Sequence, residues 1–323
     1  PDGRISGHSI LAVTIPGAAA GWADAVSRCG RMPLSEVLAP AIAAAEDGFA
    51  VTPQIANAWG GSERLLRAVD TSSRTWLPNG LAPRVGEVFR NPRLASTLRA
   101  VAEGGAEAFY GGAVADAIVR CSDEHDGLIT LADLAAHEST WVEPIAIDYR
   151  GYQVLEIPPN GQGIAALEAL NICALEDVAA MGHNSADTLH LHLEAMKLGF
   201  QDRDRYVTDM DFVDVPVAGL LSAEYAAAQR ARIDMSRAQP SPSAGVPGRG
   251  DTVYLSAADS DGNLVSFINS LYSGWGSGIT AGDTGVMLQN RGQSFSLDPD
   301  HANVVAPNKR TRHTIIPGLL ARD

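Results

Sequence analysis

Apolar and polar residues alternate along residues 252–258 and again along residues 264–270, a pattern typical of two β-strands. An Asp261-Gly262 pair lies between the two runs. Asp-Gly flanked by alternating segments is the strongest short-range signal for a β-hairpin. We therefore expect these residues to form an antiparallel hairpin.

The length of the hairpin loop decides which side chains face each other. A three-residue loop, Ser260 to Gly262, pairs Asp259 with Asn263 and brings Thr252 opposite Ser270. A two-residue turn on Asp261-Gly262 instead brings Thr252 opposite Leu271 and turns Ser270 to the other face, because a one-residue slip inverts the side chains of a strand. The pattern is compatible with both registers.

Apolar positions at helical spacing predict several helices in the preceding chain. The predicted helices cover residues 19–29, 34–47, 91–103, 112–121 and 186–206. Thr130, with Asp133 three residues later, is a good helix N-cap. Further strands are predicted before the Pro16-Gly17 turn and at residues 144–148, 152–157 and 285–290.

Composition indicates a globular protein that acts on small molecules. The 323 residues are 46% hydrophobic, enough for a large core, and the net charge is -14. Such a charge argues against binding nucleic acid or an anionic membrane through bulk electrostatics. No apolar run reaches the roughly 18 residues that a membrane-spanning helix needs. The sequence does not distinguish a cytoplasmic from a periplasmic location.

The three cysteines do not predict a disulfide framework or a zinc site. Cys29, Cys121 and Cys173 are odd in number and widely spaced, so they match neither a disulfide pattern nor a zinc signature. We expect buried free thiols.

The residues around Thr252 suggest a nucleophile. A segment rich in Pro, Gly and Ser, from about residue 239 to Asp251, precedes it, and such segments are open to cleavage. Cleavage between Asp251 and Thr252 would leave a threonine with a hydroxyl and a free α-amine. With a reference pKa of about 7.7 to 8.0, that amine can take the proton from its own hydroxyl near neutral pH. The alternative is that Thr252 merely begins a strand.

Three other motifs suggest sites but match them poorly. Gly161-Gln162-Gly163 partly imitates a dinucleotide-binding turn, although no acidic residue follows at the required distance, and a close helix–sheet turn is the alternative. His190 and His192 are two apart on a predicted helix and do not share a face, so no metal site is expected. Asp259 to Gly262 has the wrong glycine spacing for a calcium loop.

A set of spaced motifs resembles the γ-glutamyltransferase family. The strongest begins at Asp251-Thr252 and runs through Phe267, and others are Gly276 to Ile279 and Gly282 to Asn290. Upstream matches include Ile15 to Ala18, Met32 to Leu34, Glu46 to Phe49, Tyr149 to Tyr152, Pro158-Pro159 and Asp202 to Tyr206. Because many motifs occur in the family's order, the resemblance is specific.

The resemblance implies an αββα N-terminal nucleophile hydrolase sandwich, of the α+β class, with helical decoration. Residues 1–251 correspond to the C-terminal part of a large subunit, and residues 252–323 to the N-terminal part of a small subunit, interlocked as one domain. Self-cleavage between Asp251 and Thr252 is expected to release the nucleophile, with Ser270 as the second catalytic hydroxyl. Relative to the family, parts of both subunits are expected to lie outside this sequence, including the oxyanion-stabilising glycines.

The sequence departs from the family at the substrate pocket. Tyr272 stands where members have Asn, Arg291 and Ser294 where they have the Gln and Asp that bind a glutamyl group, and His313 and Thr314 where they have paired serines. An α-ammonium favours a carboxylate partner, whereas Arg291 attracts an anion. Arg291 as a surface salt-bridge residue is the competing interpretation.

The sequence therefore predicts an amide hydrolase or acyltransferase that forms an acyl-enzyme on Thr252 and passes the acyl group to water or an amino acceptor, without metal or organic cofactor. One alternative substrate is a non-glutamyl acid amide, such as oxamate or a dicarboxylic acyl amide. Another alternative is an uncleaved, inactive homologue or fragment.

Overall fold

The computed structural model describes residues 3–240 and 250–322, and for Gly250 and Asp251 only the backbone. Most of the predicted linker before Asp251 lies outside the described residues. The chain forms two compact units, each assembled from separated stretches of sequence. We call Ile5–Thr140 with Leu271–Gln293 the helical unit, and Pro1–Arg4, Trp141–Ser270 and Ser294–Asp323 the sheet unit.

The helical unit contains nine α-helices among its described residues. They are α1 (Ala18–Cys29), α2 (Leu34–Glu46), α3 (Pro53–Gly60), α4 (Glu63–Arg67), α5 (Asp70–Trp76), α6 (Pro92–Gly104), α7 (Glu107–Tyr110), α8 (Gly112–Glu124) and α9 (Leu131–Ala135). The short strands β1 (Phe49–Ala50) and β2 (Val88–Phe89) pair antiparallel. Helix α2 packs on α6, and the core includes Val101, Ile118, Leu134 and Leu288.

The sheet unit contains the remaining strands and helices of the described residues. The strands are β3 (Ile145–Tyr149), β4 (Tyr152–Glu156), β5 (Gly250–Ala258), β6 (Leu264–Ser273, whose last three residues belong to the helical unit) and β7 (Leu319–Ala321). The helices are α10 (Gly163–Ala174), α11 (Val178–Met181), α12 (Ala186–Tyr206), α13 (Val217–Leu220) and α14 (Ala223–Arg230).

Antiparallel pairing dominates the sheets of this unit. Strand β4 lies between β3 and β7, while β5 and β6 form a separate two-stranded sheet. Helix α10 packs on α12 through Ile172, Leu191 and Leu198. Helices with antiparallel sheets make this an α+β structure, as the sequence predicts.

Gly163 begins α10 directly beside the end of β4. A β-carbon at this position would lie 2.4 Å from Glu156 Oε2, so only glycine allows so close an approach. The glycines at 161–163 therefore form a close helix–sheet turn, which was the alternative to nucleotide binding.

Local capping explains several boundaries. Thr130 Oγ1 accepts a hydrogen bond from Asp133 N, and the Asp133 carboxylate accepts one from Thr130 N, which completes the predicted capping box. The strand predicted before Pro16 is wrong: Ile10–Ala12 is a 3₁₀ turn capped by the Ser9 hydroxyl.

Two further expectations need correction. Residues 285–290 do not form the predicted strand. Met287 instead forms an isolated antiparallel bridge with Thr280, because the chain reverses tightly between Ala281 and Val286. Cys121 and Cys173 are buried free thiols as expected, but Cys29 at the end of α1 is exposed. Within the described part of the chain, no helix is both long and apolar enough to cross a membrane.

Candidate active site

The hairpin loop has the three-residue form. Asp259 N donates to Asn263 O at 3.1 Å, and Gly262, with φ +84°, occupies the left-handed position. The Asp259 carboxylate accepts hydrogen bonds from Asn263 Nδ2 at 2.7 Å and from the backbone N–H of Asn263 and Asp261. The hydrogen bonds from Asn263 are the largest cause that lowers the pKa of Asp259 below its usual value. The loop is thus held in one register.

This register brings the two candidate catalytic hydroxyls into contact. Thr252 Oγ1 lies 2.9 Å from Ser270 Oγ, within hydrogen-bonding distance. Thr252 is exposed and Ser270 is half-buried, so a substrate can reach the pair. The backbone of Asp251 and Thr252 belongs to one continuous strand, β5, and the side chain of Asp251 lies outside the described residues.

Tyr272 and Arg291 form a second contact, within the helical unit. Tyr272 has φ +79°, an uncommon value for a residue with a large side chain. The Arg291 guanidinium carbon lies 4.5 Å from the centroid of the Tyr272 ring, in cation–π geometry. Arg291 is only 5% exposed, so it is not the surface residue of the competing interpretation.

Burial lowers the pKa of Arg291 to about 10, which leaves the guanidinium charged at neutral pH. Its backbone N–H donates to Gln289 Oε1, whose side-chain amide donates to Thr14 O at 2.8 Å. The structure thus presents a fixed, buried cation on an aromatic ring.

Ser294 ends the 3₁₀ turn that begins at Arg291 and belongs to the sheet unit. Its hydroxyl oxygen is buried and has no hydrogen-bond partner among the described residues. Its carbonyl accepts a hydrogen bond from Asn303 Nδ2 at 2.7 Å, and the same amide lies 3.1 Å from Thr311 Oγ1. Asn303, 1% exposed, therefore ties Ser294 to the segment that leads to His313.

His313 and Thr314 lie along the loop before α10. His313 N donates to Asn160 O at 2.7 Å, and Gln162 N donates to His313 O at 2.9 Å. Gln162 Nε2 donates to Thr314 O at 2.9 Å, and His313 Nδ1 accepts from Ile315 N at 3.3 Å. The backbone of this segment is therefore fixed at successive residues.

The structure thus brings together Thr252 with Ser270, and Tyr272 with Arg291, while Ser294, His313 and Thr314 belong to the same unit as Thr252. Sequence reasoning missed Asn303 and Gln162. No signal marked Asn303, and Gln162 was visible only as the middle residue of a glycine turn. Among the described residues, no group of three or more His, Cys, Asp or Glu side chains could hold a metal ion.

Comparison with known proteins identifies the family. The family model described as Gamma-glutamyltranspeptidase matches residues 2–323. The chain belongs to this family. A glutathione hydrolase-like proenzyme of Bacillus subtilis (strain 168) is 39% identical over 96% of the chain and 59% of its own length. The oxamate amidohydrolase proenzyme of Klebsiella pneumoniae subsp. pneumoniae is also 39% identical, over 95% of the chain and 58% of its own length.

The family's structures agree with the fold. The crystal structure of cephalosporin acylase from Bacillus halodurans matches with a TM-score of 0.92 and 46% identity, over 100% of this chain and 60% of that chain. This likeness confirms the N-terminal nucleophile hydrolase fold that the motifs predict. The chain spans slightly less than two thirds of the length of each relative compared.

Proposed function

We propose that the protein containing this chain is an autoprocessing amide hydrolase or acyltransferase with Thr252 as its nucleophile. The observation that carries the proposal is the 2.9 Å contact between Thr252 Oγ1 and Ser270 Oγ at the start of the hairpin. Two hydroxyls at this distance can share a hydrogen bond, so Ser270 orients the attacking oxygen of Thr252. The described relatives are named proenzymes, which supports a maturation step.

Maturation uses the nucleophile on its own chain. Thr252 Oγ1 attacks the carbonyl carbon of Asp251, and the peptide C–N bond breaks as the hydroxyl proton passes to the departing nitrogen. Asp251 is then held as an ester on Thr252 Oγ1, and Thr252 has a free α-amine. Water then hydrolyses the ester. The chain becomes residues 1–251 and 252–323, which correspond to parts of the large and small subunits.

Turnover repeats the same chemistry on a small-molecule amide. The α-amine of Thr252 takes the proton of Oγ1 as the oxygen attacks the substrate carbonyl, and then gives that proton to the departing amine. The acyl ester passes to water or to an amino acceptor. Thr252 supplies both the nucleophile and the base in these steps, so the proposal requires no cofactor.

A second proposal concerns the acyl group. Arg291 is buried, charged and stacked on Tyr272, and Ser294 offers a hydroxyl where an α-ammonium would favour a carboxylate. These groups suit an acyl chain that ends in a carboxylate, with Tyr272, Ser294, His313 and Thr314 as the other substrate-binding residues. The relatives named oxamate amidohydrolase and cephalosporin acylase support this class of substrate.

The first experiment measures intact mass and N-terminal sequence after incubation at neutral pH. We expect a new N-terminus at Thr252, no cleavage in Thr252→Ala, slow cleavage in Thr252→Ser, and about tenfold slower cleavage in Ser270→Ala, which loses one hydrogen bond. A single uncleaved species in the unmodified protein would support the alternative of an inactive homologue.

The substrate class is tested by comparing hydrolysis of glutaryl anilide and γ-glutamyl anilide. We expect the glutaryl compound to be preferred, and Arg291→Gln to remove the preference while Arg64→Gln, an exposed arginine on α4, leaves it unchanged. A clear preference for the γ-glutamyl compound would show that Arg291 does not select the acyl group.

A further inference from the structure

The segment from Arg312 to Thr314 is held by the loop before α10. His313 and Gly161 form a parallel bridge, with His313 N bonded to Asn160 O and Gln162 N bonded to His313 O at 2.7 and 2.9 Å. These backbone bonds fix His313. The carbonyl of the next residue, Thr314, accepts a hydrogen bond from a side chain of the same loop.

That side chain is Gln162. Its Nε2 donates to Thr314 O at 2.9 Å, and its Oε1 accepts from Arg203 Nη1 at 3.1 Å. Arginine can only donate and a backbone carbonyl can only accept, so the two partners allow one orientation of the amide. Gln162 therefore works as a directed link between α12 and the segment.

Arg203 is itself fixed. Its Nε and Nη2 donate to Asp204 Oδ1 at 2.9 and 2.8 Å, and its guanidinium carbon lies 4.3 Å from the Phe200 ring centroid. Asp204 also accepts a hydrogen bond from Arg312 Nη1. The Asp204 carboxylate thus links Arg203, which orients Gln162, to Arg312, the first residue of the segment.

We infer that Gln162 is a positioning residue that sets the conformation of Thr314, the neighbour of His313, for substrate binding. The inference rests on the proposed function, in which Thr314 and His313 contact the acyl group. The Gln162 amide bonds to Thr314 O and to Arg203. It acts by holding the Thr314 carbonyl, and through it the orientation of the residue, against α12.

The decisive variant is Gln162→Glu. The glutamate keeps an acceptor for Arg203 but replaces the donor that faces Thr314 O with an oxygen, which repels the carbonyl. The fold is therefore retained while the segment is released. Gln201→Glu is the matched control, because Gln201 Oε1 also accepts from an arginine, Arg232 Nη2 at 3.3 Å, but lies on α12 away from the segment's hydrogen bonds.

Two measurements are made on the full protein. In Gln162→Glu we expect KM to rise about fivefold to tenfold, the effect of one hydrogen bond, with kcat and self-cleavage within about twofold of the unmodified protein. Hydrogen exchange at the Ile315 amide, which shares a peptide unit with the Thr314 carbonyl, should rise in the same variant. Gln201→Glu should change neither. In a double-mutant cycle, Arg203→Met should add little to Gln162→Ala, because both remove the same link.

The outcomes separate the two levels of the proposal. A protein that neither cleaves itself nor hydrolyses amides contradicts the proposed function, and hydrogen exchange still decides whether Gln162 holds the segment. A protein that is active, with KM and exchange in Gln162→Glu equal to those of the control, overturns the inference. Equal loss of kcat and self-cleavage in Gln162→Glu would also overturn it, since that pattern marks general damage.

Discussion

Arg291 and Glu168 are both buried ionisable side chains, yet only one of them keeps its charge. Burial lowers the pKa of Arg291 to about 10, so it remains a cation at neutral pH. Burial, followed by the nearby Asp202 carboxylate, raises the pKa of Glu168 to about 9, so this carboxyl is neutral. A guanidinium tolerates burial because its reference pKa is far above neutrality, whereas a carboxylate accepts a proton instead.

Glu168 leads to a prediction about stability and pH. The folded state holds a proton that the unfolded chain releases near its ordinary pKa of about 4.5, so this group contributes most below that value and its contribution falls as pH rises toward about 9. Glu168→Gln, which does not ionise, should therefore gain stability relative to the unmodified protein between pH 6 and about 8.5. Urea unfolding midpoints at the two pH values measure the difference.

The control for this experiment is Glu143→Gln, an exposed glutamate before β3. Glu156, whose pKa burial raises to about 7, titrates in every variant and cancels in the comparison. If the stability difference between Glu168→Gln and the unmodified protein is the same at both pH values, Glu168 does not hold the proton assigned to it. Tyr225 Oη and Gln229 Nε2 donate to Asp202 Oδ2 at 2.8 and 2.7 Å, so the Asp202 side chain keeps these two hydrogen-bond donors with glutamate or glutamine at position 168.

At the scale of single residues, the sequence indicated which side chains are candidates for the site better than it indicated how deeply they are buried. Counting residues along the hairpin, a local operation, gave the contact between Thr252 and Ser270 as one of two registers, and the structure has that register. The burial of Arg291 could not be counted, because it depends on Tyr272 and on segments of the helical unit that are distant in sequence. The role of Gln162 was hidden for the same reason, since Arg203 and Thr314 are 41 and 152 residues away.

At the scale of elements, a substitution at Gly262 tests whether the hairpin loop has the left-handed turn. Gly262 has φ +84° and open space around a β-carbon position, so the cost of Gly262→Ala comes from backbone conformation alone. We expect a loss of about 1 kcal/mol in the free energy of unfolding, and a smaller loss for Gly262→Asn, which tolerates positive φ better. Chemical denaturation of the uncleaved protein measures both.

Gly21→Ala is the matched comparison, because it makes the same chemical change inside α1, where the β-carbon also meets no atom within 4 Å. Alanine is the better helix former, so this variant should gain about 0.5 to 1 kcal/mol. The two glycines should therefore respond with opposite signs. A neutral or stabilising Gly262→Ala would mean that the loop does not hold the left-handed turn that sets the register.

Sequence reasoning predicted elements well where their signals are local. Helix α12 has the predicted bounds, 186–206, and the Thr130 capping box is present. The strand expected at residues 285–290 is instead part of a tight reversal of the chain. Asn91 Nδ2 donates to Gly285 O in this reversal at 3.3 Å, although the two residues are almost two hundred positions apart. Alternation of apolar residues cannot reveal such a partner, and the predicted strand was wrong for that reason.

At the scale of the whole molecule, the expected cleavage site falls between stretches that share a core. Each compact unit contains residues from both sides of the Asp251–Thr252 bond. In the sheet unit, β4 pairs with β7 through Leu155 and Leu319. In the helical unit, Leu288 is buried with Ile118 and Leu134, and Thr97 Oγ1 donates to Thr284 O at 2.8 Å. Cutting one peptide bond removes none of these contacts.

We therefore predict that the pieces of 251 and 72 residues stay together after self-cleavage. Native mass spectrometry and size-exclusion chromatography should give one complex with the combined mass, equal in elution volume to uncleaved Thr252→Ala. Concentrated urea should separate the pieces, because it exposes the apolar surfaces that both contribute to the core of the helical unit. Elution of the 72-residue piece alone under native conditions would contradict the shared core of the helical unit and the pairing of β4 with β7. Such a result would mean that the contacts across the cut depend on the intact strand β5, and that processing releases the nucleophile from the fold instead of activating it.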